Sequence, residues 1–148
     1  MICSLVAPAN MNQSINQLNK IKPLDTTNMR QLVIAAHGSR RESSNDELRA
    51  LVALVSDELD MGFDGVEVAF LELASPSVEN VLGELFKGET SEVVVLPYFL
   101  SAGNHVVKDI PEEINKALSL WPDKKITVLP HIGAFEAMAS VIAQACQH

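Results

Sequence analysis

The chain has 148 residues, 47% of them hydrophobic and 20% charged, which fits one globular domain of about 100 to 150 residues. Eleven basic against nineteen acidic residues leave a net charge of −8, so binding to DNA or RNA through phosphate neutralisation is not expected. The two cysteines, Cys3 and Cys146, offer neither a disulfide framework nor a Cys/His zinc pattern, and a reducing cytoplasm is the expected compartment.

Residues 1–30 are rich in Asn and Gln and weakly patterned. They are read as a flexible N-terminal arm before a domain over residues 31–148. Their apolar patch, Leu5 to Ala9, has no basic residue before it, so a secretory signal is not expected. No apolar run approaches the roughly 20 residues that cross a bilayer.

From residue 31 strands and helices alternate. Gln31 to Ala36 is a buried-strand pattern that ends in His37-Gly38-Ser39. Leu48, Leu51, Val52, Val55 and Leu59 then recur at helical spacing, with Ser44 and Glu47 placed as a capping box. Val66 to Leu71 is a second strand. Ser75-Pro76 opens a second helix as N-cap and first helical residue, followed by Val78, Val81, Leu82, Leu85 and Phe86 on one face. Glu92 to Pro97 is a third strand. Asp109-Ile110-Pro111-Glu112 has the cap, early proline and acidic residue of another helix start. Ile126 to Pro130 makes a fourth strand, and Phe135 to Cys146 a last helix with Met138, Ile142 and Ala145 on one side.

Four β-α units in a row predict an α/β fold, a four-stranded parallel sheet with helices on both faces. Ligands of such sheets bind beyond the carboxyl ends of the strands, near the reversal of strand order. The loops at those ends carry His37 with Ser39, Arg40 and Arg41, then Glu72, then His105 with Lys108. Two imidazoles and a carboxylate suit a first-row divalent ion such as Co²⁺, Fe²⁺, Ni²⁺ or Zn²⁺. Each has a plainer reading as well: a strand-end histidine can be a hydrogen-bonded turn residue, Glu72 a charge at a helix N-terminus, and Arg40 and Arg41 a solvated helix entry. His131, after the fourth strand, is read as structural.

The segments LVIAAHGSR, VAFLELASPSVENVL and VVVLPYFLSAGNHVVKDIPEEI resemble, in order and spacing, the small class II chelatases of the sirohydrochlorin cobaltochelatase/ferrochelatase family. The resemblance covers about residues 31 to 145, and the combination of A-H-G-S, F-L-E and G-N-H-x-x-K-D-I-P is more specific than any one piece. It implies a chelatase-like three-layer fold and insertion of Co²⁺ or Fe²⁺, as substrate rather than resident cofactor, into a tetrapyrrole bearing peripheral carboxylates. His37 and His105 match the family's metal-binding and catalytic histidines, and Glu72 the acidic residue that joins them in some members. With one copy of the unit and no internal repeat, the chain resembles the short form, which implies a homodimer with its cleft between subunits. Arg40, Arg41, Lys108 and the amides after Ser39 are the groups expected to meet the substrate's carboxylates.

Two other readings compete. Histidine phosphatases also place His-Gly after a strand, but they resemble R-H-G, and position 36 here is Ala36. A non-catalytic carrier of a divalent metal or a tetrapyrrole would need the same ligands.

Overall fold

The computed structural model describes residues 28–60 and 62–147. The expected arm lies outside the described residues except for 28–30, of which Met29 and Arg30 already belong to the first strand. In chain order the elements are β1 (Met29–Ala36), α1 (Glu42–Glu58), β2 (Gly65–Phe70), α2 (Val78–Lys87), β3 (Thr90–Pro97), a π-helical turn (His105–Asp109) running into α3 (Ile110–Leu120), β4 (Lys125–Val128), a 3₁₀ turn (Ile132–Ala134) and α4 (Ala137–Ala145).

The four strands form one parallel sheet in the order β2-β1-β3-β4. A continuous apolar strand is stable only when both its faces are covered, and β1 is buried from Gln31 through Ala36. Val33 and Ala35 point to one side with Ala69, Val93 and Val95, under α2 and α3 residues such as Val78, Leu82, Phe86, Ile110 and Ile114. Leu32, Ile34 and Ala36 point to the other with Phe70 and Val94, under Leu48 and Val52 of α1. This is the expected three-layer arrangement. The chain steps from β1 to β2, then returns past β1 to β3, so strand order reverses between β1 and β3.

Helix starts differ from the sequence reading. The Ser44/Glu47 capping box does not form, because α1 begins at Glu42 and puts both residues inside the helix. Buried Asn45 draws the helix entry toward β1: its side-chain oxygen accepts from the Ser39 amide and its amide donates to the Ser39 carbonyl, both at 2.9 Å. Ser77, not Ser75, caps α2, its hydroxyl accepting from the Asn80 amide at 3.2 Å. Ser75-Pro76 lies in the bend before the helix instead, where the Pro76 carbonyl accepts from the Phe70 amide at 2.9 Å and the Ser75 carbonyl from Arg49 at 3.0 Å. Asp109 caps nothing. It has helical dihedrals, and its side chain makes no cap hydrogen bond because the helix continues back through it to His105. Finally, α4 starts at Ala137 rather than Phe135, and none of its residues is buried.

Candidate metal centre

Strand pairing carries two of the three expected ligands to one place. The β1–β2 ladder runs past the end of both strands: the Leu71 amide donates to the Ala36 carbonyl at 2.8 Å and the Glu72 amide to the His37 carbonyl at 2.9 Å. The loops can touch only because residue 38 is glycine. Gly38 has φ +92°, and a Cβ there would overlap the Glu72 carbonyl oxygen. On the other side, the Gly133 amide donates to the Phe99 carbonyl at 3.0 Å, in a contact with Leu100 that is again too close for a side chain. This braces the loop after β3. Phe99 in turn stacks on the His105 ring, with centroids 5.9 Å apart and planes at 26°.

His37, Glu72 and His105 therefore converge. Each offers one ligand atom, and those atoms all lie within 4.8 Å of one another. The two imidazoles meet edge to face with centroids 4.4 Å apart. Two ligands on one ion with bonds of about 2.1 Å can stand no more than about 4.2 Å apart. The spread is slightly wider than a loaded site, and Glu72 is the exposed member of the three. Three donors would also leave a coordination position open, as in sites that exchange ligands rather than lock an ion in place.

Hydrogen bonding engages one nitrogen of each ring. Nδ1 of His37 lies 2.9 Å from the Gly38 carbonyl oxygen, which can only accept, so Nδ1 carries the proton. Nδ1 of His105 lies 2.6 Å from Oδ2 of Asp109. In its neutral form each ring so held donates from Nδ1–H and keeps its lone pair on Nε2.

Of the residues expected to meet substrate carboxylates, Arg40, Arg41 and Lys108 are exposed, and among the described residues their side chains enter no ion pair. Ser39 is already committed: its amide goes to Asn45 and its hydroxyl accepts from the Arg41 amide at 3.0 Å. His131 stands outside the three-ligand group, at the N-terminus of the 3₁₀ turn. Asn45, Phe99 and Gly133 were not legible as site residues, since their effect depends on which loops the sheet order makes neighbours. Asp109 was visible beside His105 but reads locally as a helix cap.

The geometry agrees with what the chain resembles. The CbiX family model matches residues 31–148. The chain is 34% identical over 92 residues to the sirohydrochlorin cobaltochelatase of Methanopyrus kandleri, covering 62% of this chain and 60% of that protein. It is 30% identical over 117 residues to the chloroplastic sirohydrochlorin ferrochelatase of Arabidopsis thaliana, covering 79% and 51%. The sirohydrochlorin chelatase SirB from Bacillus subtilis subspecies spizizenii, solved in complex with cobalt, superposes with a TM-score of 0.73 at 26% identity, covering 80% of this chain and 50% of that one. The chain thus spans about half the length of these relatives. With a family model over the whole α/β unit and three side chains gathered at its carboxyl edge, this chain belongs to the CbiX family.

Proposed function

We propose that this protein is a metal chelatase that inserts Co²⁺ or Fe²⁺ into sirohydrochlorin. The observation that carries the reading is the gathering of two imidazoles and one carboxylate at the strand-order reversal, with their ligand atoms within 4.8 Å of one another. Metallation of a tetrapyrrole needs two pyrrole protons removed and a hydrated ion delivered to four ring nitrogens. A neutral imidazole can accept a proton or hold a metal and release either near neutral pH. His37 and His105 serve in these roles, and Glu72 adds charge to the ion. The donor set also accepts Ni²⁺ or Zn²⁺. In this reading the ion is a substrate, not a resident cofactor.

The surroundings support a flat, acidic substrate. Leu73 follows Glu72, Tyr98 and Leu100 flank Phe99, and Val107 lies on the His105 turn; all four are exposed. Such apolar surface suits a macrocycle face, while Arg40, Arg41 and Lys108 offset the protein's negative charge toward peripheral carboxylates. The protein acts as a cytoplasmic homodimer. Val141 and Ile142 of α4 are 55% and 59% exposed, an apolar surface that a second copy would cover. Among the described residues no helix is long and apolar enough to cross a membrane.

The test is to mix purified protein with sirohydrochlorin and Co²⁺ or Fe²⁺ and follow the absorption change against a protein-free control. Wild type accelerates insertion over the control. His37→Ala and His105→Ala each lower the rate by about 10²- to 10⁴-fold, the range for losing a positioned acid–base group, with native circular dichroism. Wild-type rates in both variants refute the reading. Metal binding with no acceleration favours the carrier instead.

A further inference from the structure

We propose that Asp109 is a positioning residue for the metal centre: its carboxylate holds His105 in the tautomer that presents the Nε2 lone pair to the ion. The inference rests on His105 being a metal ligand. Three observations support it. The Nδ1 to Oδ2 distance is 2.6 Å, short for a nitrogen–oxygen pair and typical of a charge-assisted bond. The carboxylate makes no helix cap, although its place before Ile110-Pro111 is where a cap would be expected. The two residues are also the ends of one π-helical turn, closed by the Ile110 amide donating to the His105 carbonyl five residues back.

The π turn has a cause in the sequence. The helix runs without a break from His105 to Leu120, and Pro111 sits inside it. A proline there has no amide to donate, and its ring crowds the carbonyl four residues earlier. One wider turn accommodates it, as an inserted π segment does in other helices. The same turn puts His105 and Asp109 side by side, so the imidazole and its acceptor form a unit fixed by the backbone.

A neutral imidazole without a fixed partner exchanges between two tautomers, one of which aims an N–H at the ion. His37 avoids this through a backbone carbonyl, which no substitution removes. His105 relies on a side chain and can be tested. Carboxylate partners of metal-bound histidines are worth about 10- to 100-fold in metal affinity or activity.

The experiment uses the full chain without metal, labelled with ¹⁵N-histidine and observed well above the ordinary imidazole pKa of about 6.5. Wild type should show His105 with a protonated Nδ1 and a lone-pair Nε2. In Asp109→Ala, His105 moves toward a tautomer mixture while His37 stays unchanged, and affinity for Co²⁺ alone falls about 10- to 100-fold. Asp109→Asn, nearly the same shape and still able to accept at its amide oxygen, falls less. Asp109→Leu, similar in size and unable to accept, should change tautomer and affinity as far as Ala does and decides the matter if the Ala variant does not fold. An unchanged His105 tautomer and unchanged Co²⁺ affinity in the folded variants overturn the proposal, even if the melting temperature drops. If tautomer and affinity respond but wild type does not metallate sirohydrochlorin, this inference stands and the chelatase reading fails.

Discussion

The carboxyl edge of the sheet and the α4 side of the molecule both expose apolar side chains, but only the edge sets them beside polar groups that the chain holds in place. At the edge, Asn45 clamps Ser39, Asp109 holds His105, and glycines at 38 and 133 let neighbouring loops touch. In α4, apolar side chains stand in solvent, with Ile142 59% exposed, whereas Leu82 of α2 is fully buried. The edge is organised by the chain itself, and α4 has an apolar face that the described residues do not cover. Order at the edge favours chemistry, which needs fixed lone pairs. An uncovered apolar face favours association.

Substitutions can break this comparison. Leu82→Ala should cost about 2 to 5 kcal/mol, measured by denaturant unfolding, as for other fully buried leucines. Gly38→Ala comes next, at about 1 to 3 kcal/mol, because the new Cβ meets the Glu72 carbonyl and the left-handed backbone disfavours it. It should also lower Co²⁺ affinity, since the clash moves Glu72 away from His37; full affinity would mean Glu72 is dispensable. Ile142→Lys should change the stability of a monomer by no more than about 0.5 kcal/mol while halving the mass seen by sedimentation. An unchanged mass would show that α4 is not the dimer surface.

The smallest effect is expected at the α1 entry. Hydrogen bonds from Asn45 and then Arg49 hold the Glu42 carboxyl below its ordinary value of 4.5. A carboxyl with a depressed folded-state pKa stabilises above its unfolded pKa, and that contribution fades as pH falls through the folded value. Glu42→Gln should therefore melt slightly below wild type at neutral pH, and the gap should close in acid. A gap independent of pH would assign the loss to packing.

The strands and the convergence of His37, Glu72 and His105 were readable because they depend on local pattern plus one rule. Apolar runs such as Val93–Val95 leave few alternatives to a buried strand, and parallel order puts successive strand ends on one edge. Helix starts were harder to read. Ser75 and Ser77 are both plausible caps, and the Phe70–Pro76 bond, which ties the end of β2 to the loop before α2, goes with Ser77. Asp109 has the local signature of a cap; its pairing with His105 follows from the π turn, which no propensity scale marks. The apolar positions Met138, Ile142 and Ala145 predicted one face of α4 but could not say what would lie against it.

The central claim is that side chains from three separate loops act on one ion. Crystals soaked with Co²⁺ and measured at the cobalt absorption edge test it directly. The account predicts one anomalous peak about 2.0 to 2.2 Å from Nε2 of His37, Nε2 of His105 and a Glu72 oxygen, with Asp109 still on Nδ1 of His105. Cobalt bound elsewhere on the protein, or held by only one of the two imidazoles, would contradict it.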